Sequence, residues 1–66
     1  MAVLKVIEIM SDSTKSWEDA TAKGVAKAAK TVKGIKSAHV QNQSVTINAG
    51  KITAYRVNLK LSFEII

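Results

Sequence analysis

Thr53-Ala54-Tyr55-Arg56-Val57-Asn58-Leu59-Lys60-Leu61-Ser62-Phe63-Glu64-Ile65 alternates without a break. Thr53, Tyr55, Val57, Leu59, Leu61, Phe63 and Ile65 take one parity; Ala54, Arg56, Asn58, Lys60, Ser62 and Glu64 take the other. A period of two over that length predicts a long β-strand with one oily face and one polar, charged face. Such a strand needs a partner strand and a cover for its oily face.

Working upstream, Asn48-Ala49-Gly50 is a tight hairpin signal, because Asn and Gly tolerate positive φ. Before it, Ser37 to Asn48 reads as a second strand, more polar and less regular. The cover comes earlier still. From Trp17 the period changes to 3.6, and Trp17, Ala20, Thr21, Gly24, Val25, Ala28, Thr31, Val32 and Ile35 form one apolar stripe. Lys15, Lys23, Lys27, Lys30 and Lys33 fall mostly on the opposite face, and Gly34 is the expected stop. Ser16, with Asp19 three residues on, resembles a capping box; Ser13 is a second candidate cap. Val3 to Met10 is rich in β-branched residues and reads as a first strand, with Ser11 to Ser16 as a polar turn. The class is α+β, the order β-α-β-β, and residues 1–66 form one domain with no linker or repeat.

Composition narrows the function. A chain of 66 residues is near the lower limit for a single unstapled core. Without Cys there is no disulfide and no thiolate chemistry, which fits a reducing compartment. One His and five scattered acids argue against a built-in metal site. No apolar run approaches a membrane span and the start lacks a secretory layout, so a cytoplasmic location is expected. The formal charge of +5 permits an anionic partner without naming one. The predicted helix of about 18 residues is roughly 27 Å long, whereas strands of a dozen residues span roughly 40 Å. The hairpin outruns its cover, and no Pro protects its edges, so a closed homo-oligomer is expected.

Val6-Ile7-Glu8-Ile9, the turn from Ser11 to Ser16, Ser16-Trp17-Glu18-Asp19-Ala20, Ala28-Ala29-Lys30-Thr31-Val32 and Tyr55-Arg56-Val57-Asn58-Leu59-Lys60-Leu61-Ser62-Phe63 together resemble the dodecin family. The resemblance covers essentially the whole chain. It implies a three-stranded antiparallel sheet wrapped around one helix, twelve copies closing into a hollow shell, and non-covalent storage of a flavin such as FMN or riboflavin. Flavin-binding dodecins carry a Trp near the start of the second strand whose indole stacks on the flavin ring; the matching position here is Ser37. A Gln that bonds the ring edge matches Arg56, and a basic residue near the ligand phosphate matches Ser44. With His39 beside Ser37, the resemblance makes Ser37, His39, Ser44 and Arg56 the ligand-binding positions. A hydroxymethyl group offers no π-face, and stacking of a base on an aromatic ring is worth about 1–3 kcal/mol. The departures leave open a shell without flavin, or one holding another small anionic ligand or a cation.

The remaining polar residues have plainer readings. Trp17 lies on the helical stripe and is assigned to core or staple. His39 reads as a surface strand residue, and the helical lysines as a solvated exterior. Ser11, Asp12 and Ser13 offer oxygens to a cation, but one carboxylate is too little for tight calcium binding. Nothing points to catalysis: there is no Cys nucleophile, no Ser–His motif and no carboxylate pair within one element. Glu8 and Glu64 would approach if the first and third strands are neighbours, with ion-pairing to Lys5 or Lys60 across strands the ordinary outcome. Nucleic acid is disfavoured as a partner, since the aromatic platforms of single-strand binders are missing. The chain is expected to be a non-enzymatic, oligomeric small-molecule binding or storage protein.

Overall fold

The computed structural model describes residues 3–65, leaving residues 1, 2 and 66 of the expected domain outside the description. Its elements run β1 (Leu4–Ser13), α1 (Trp17–Ala28), β2 (Ile35–Asn48) and β3 (Lys51–Glu64). The strands form one sheet in the order β1-β3-β2, with both outer strands antiparallel to β3. The alternation of the last third is therefore that of a central strand, which lays Val57, Leu59 and Leu61 against α1. These three, with Ala20, are the buried hydrophobic core; Ile7, Ile9, Trp17, Val25, Ala28 and Ile35 pack around them.

The main differences from the sequence reading have physical reasons; β2 also starts at Ile35 rather than Ser37, and β3 ends at Glu64. β1 continues past Met10 to Ser13, because β3 is long enough to keep pairing with it down to Ser13↔Tyr55. Ser11 and Ser13 then alternate toward the helix and Asp12 away from it. α1 stops at Ala28 instead of reaching Gly34. Beyond the cap Ala29, the amides of Lys30 and Thr31 bond carbonyls only three residues back, a tightened final turn that leads out of the helix. Gly34 starts the sheet rather than ending the helix: its φ is +79° and its carbonyl accepts from the Glu64 amide. At the hairpin tip, positive φ falls on Ala49 (+51°) and Gly50 (+77°), not on Asn48. Two consecutive positive φ values are what a type I′ two-residue turn requires.

The helix N-terminus follows the sequence more closely. The Ser16 hydroxyl accepts from the Asp19 amide at 3.0 Å. Asp19 does not reach back to close the capping box. Its carboxylate takes a hydrogen bond from the buried Ser13 hydroxyl at 2.6 Å and pairs with Lys23 at 3.1 Å. Ser13 thus braces the turn, also accepting from the Lys15 amide at 2.9 Å.

The mismatch between ribbon and cover is larger than expected. Twelve helical residues reach about 18 Å, while fourteen strand residues reach about 46 Å. The chain measures 50 × 20 × 14 Å with a radius of gyration of 13.5 Å, against about 11 Å for a compact domain of this length. It exposes 4894 Å², where a monomer of its mass typically exposes about 4,100 Å². Val3, Leu4, Val6, Met10, Val40, Ile47, Ile52 and Ile65 are all exposed. No helix among the described residues is long and apolar enough to cross a membrane.

Candidate functional site

The face of the sheet turned away from α1 is laid out in rows, each drawing one residue from each strand. In register these are Asp12–Arg56–Ser44, Met10–Asn58–Asn42, Glu8–Lys60–His39 and Val6–Ser62–Ser37. The rows require β2 to change parity, since Ser37 and His39 are odd-numbered and Asn42 and Ser44 even. A register irregularity between Val40 and Asn42 accomplishes this, with others at Ile35/Ser37 and Thr46/Ile47. Those irregularities are why the second strand lacked a clean period in the sequence.

The four positions singled out from the sequence all lie on this face. Ser44 and Arg56 are direct neighbours across β2 and β3, and Ser37 and His39 follow one another along β2. The two pairs are not brought together. The Arg56 and Ser62 rows are six residues apart on β3, about 20 Å, so a small ligand cannot touch Ser37 and Ser44 of one chain at once.

The local chemistry is already largely satisfied. The Arg56 guanidinium donates to both carboxylate oxygens of Asp12, Nε to Oδ1 at 2.7 Å and an Nη to Oδ2 at 3.1 Å. Those hydrogen bonds hold the Asp12 carboxyl below its ordinary value and raise Arg56. The Ser37 and Ser62 hydroxyls hydrogen-bond one another. Glu8 stands opposite Lys60, not near Glu64, which pairs in register with Leu4. No ion pair forms between Glu8 and Lys60 among the described residues.

Asp12 and Ser62 are the two partners that sequence reading missed. Ending the first strand at Met10 hid Asp12. Had β1 been carried to the length of β3, antiparallel counting would have set it against Arg56. The same alternation separates the three oxygens considered for a cation, since Asp12 faces this side while Ser11 and Ser13 face the helix. Among the described residues no three His, Asp or Glu side chains gather as metal ligands. Trp17 is on the opposite side, half-buried against the core. Its indole N–H donates to the Ser44 carbonyl at 3.0 Å, and its ring meets Tyr55 edge-on with centroids 5.2 Å apart. It packs against the core, as expected, and its indole bond also joins helix to hairpin.

Comparison with known proteins places this arrangement. The Dodecin family model matches residues 3–65. The calcium dodecin of Mycobacterium tuberculosis is 45% identical over 65 residues, spanning 97% of this chain and 90% of that protein. Its crystal structure, described as having a novel calcium-binding site, superposes with a TM-score of 0.84 at 40% identity, covering 97% of this chain and 91% of the other. A Thermus thermophilus dodecin variant gives 0.92 at 26% identity, covering 100% and 98%. Streptomyces coelicolor dodecin, at 23% identity, shares the fold with a TM-score of 0.93 over 98% and 93%. With the family pattern running almost end to end and such identity to one member, this chain belongs to the dodecin family.

Proposed function

We propose that the protein is a non-enzymatic binding and storage protein that closes into a hollow homo-oligomer of twelve copies, and that its ligand, held on the polar sheet face where copies meet, is not a stacked flavin. The observation carrying this reading is the Ser37–Ser62 hydroxyl pair. Where flavin-binding dodecins present an indole, this chain presents two small polar groups already bonded to each other. Losing a π-platform worth about 1–3 kcal/mol per stacked ring weakens binding by roughly one to two orders of magnitude. Arg56 adds to this, because its guanidinium is engaged by Asp12 rather than open toward a ring edge or phosphate.

The second reading is a divalent cation as the ligand, favoured by 45% identity to a protein named calcium dodecin. Glu8 stands on the polar face in no ion pair among the described residues, and Asp12 shares its carboxylate with Arg56. A hard cation needs several oxygens, so the carboxylates would come from more than one copy. Titrating FMN and riboflavin against the assembled protein tests the main reading. Fluorescence unquenched at micromolar protein is expected, with quenching appearing in Ser37→Trp. Tight quenching by the unaltered chain would overturn it. Equilibrium dialysis with calcium tests the cation reading: uptake lost in Glu8→Gln supports it, and no uptake at millimolar calcium refutes it.

A further inference from the structure

On the other side of the sheet, a groove of about 630 Å³ runs between β1 and α1. Ile7 and Ile9 lie along its strand side, Ala28 and Val32 along its helix side, with Lys27 and Lys30 also in its wall. The volume falls in the range of small-molecule sites, roughly 300–1,000 Å³. α1 lies close against β1 at Gly24, so near Ser11 that an added Cβ would come within 3.0 Å of the Ser11 Cβ, and the early end of α1 leaves the remainder uncovered.

The charge around the groove is one-sided. Of the lysines lining it, Lys23 is tied to Asp19, and the one acid in its wall, Asp12, is tied to Arg56. Lys27 and Lys30 form no ion pair among the described residues. No acid lies within a helical turn of either along the chain, because residues 20–63 contain no Asp or Glu. Lysines near a helix C-terminus are ordinarily explained by the macrodipole, but that amounts to only about half a unit charge. Lys27 and Lys30 thus place two cations with no ion-pair partner among the described residues beside an apolar channel.

We propose that this groove is a second binding site, for an amphiphilic anion: an alkyl or fused-ring body lying along Ile7, Ile9 and Val32, ending in a carboxylate or phosphate held by Lys27 and Lys30. The groove shares Met10 and Asp12 with the rows of the polar sheet face, but its test turns on Lys27, Lys30 and Thr31, none of which lies on that face. The probe is decanoate, titrated calorimetrically into the protein as it assembles, with 1-decanol as the uncharged counterpart. Saturable binding near one decanoate per chain is expected, with 1-decanol at least tenfold weaker. Lys27→Glu combined with Lys30→Glu is expected to weaken decanoate at least tenfold. Thr31→Trp, at an exposed position on the groove wall, is expected to abolish binding of both while leaving the assembled mass unchanged by light scattering. Equal affinity for decanoate and 1-decanol, full binding by Thr31→Trp, or no saturable decanoate binding would overturn the proposal. Binding that appears only once the assembly is dissociated would overturn it too, because a neighbouring copy would then fill the groove.

Discussion

Ala49 holds a backbone conformation that an L-residue with a Cβ adopts only at a cost, about 1 kcal/mol or more, and it does so beside Gly50 with the same sign of φ. The tip was legible as a turn, because Asn48-Ala49-Gly50 separates two strand patterns. Which residues would invert was not, since the chain gives the strained slot to Ala and leaves Asn48 in the ladder opposite Lys51. Ala49→Asn creates the Asn-Gly pair that type I′ turns favour and is expected to raise stability by about 0.5–1 kcal/mol, read from the urea midpoint at fixed protein concentration. Gly50→Val is expected to lower it, although no atom lies within 4 Å of the added Cβ, because a β-branched residue resists φ near +77°. Titration at the same scale has a definite sign. The Ser13 hydrogen bond, then Lys23, hold the Asp19 carboxyl below its ordinary value, as Arg56 does for Asp12. A carboxylate that is more acidic folded than unfolded stabilises above its unfolded pKa, and that contribution is lost as pH falls through the lower, folded value. Stability should therefore be level near neutrality and decline below about pH 4. Asp19→Asn should be less stable at pH 7 and show a shallower acid decline; a decline as steep as that of the unaltered chain would remove Asp19 from the explanation.

At the scale of elements, periodicity was most reliable where one partner dominates. The strict alternation of β3 survives because that strand is paired on both sides and packed on one face, and the first turns of α1 follow their stripe because Ala20 and Gly24 are buried under it. Prediction failed where tertiary partners set lengths. Thr31 and Val32 continue the helical spacing, yet the chain leaves the helix to enter β2. Asp12 looks like turn chemistry, yet β3 draws it into the sheet. The candidate site was legible as a set of positions on one face. The separation of those positions along β2 and the Asp12–Arg56 bond were not, because both depend on register. Gly24 offers a test in which two rules disagree. Helix propensity alone favours Gly→Ala by about 1 kcal/mol. The new methyl would press on the Ser11 Cβ at 3.0 Å and on Leu59 Cδ1 at 3.2 Å, and overpacking typically costs about 1–3 kcal/mol. Gly24→Ala is expected to lower the urea midpoint; an increase would mean that β1 yields and that the close approach places no constraint on the fold.

For the whole molecule, the governing fact is the imbalance between a chain drawn out to 50 Å by its sheet and the short helix laid on it. Only four hydrophobic side chains are buried among the described residues, too few to explain a stable domain of this size without further burial. The surplus of exposed surface over a typical monomer is about 800 Å², close to what one partner contributes to a standard interface. The polar face has the same incompleteness, since its candidate positions lie too far apart to act within one chain. Both deficits are met by bringing copies together, and on this account folding, stability and ligand binding belong to the assembly. The most direct test is the mass of the purified protein by size-exclusion chromatography with light scattering, followed on dilution. A single species near twelve times the 7.1 kDa chain, persisting to nanomolar concentration, is the expected result. A monodisperse, cooperatively folding species of 7.1 kDa would contradict it.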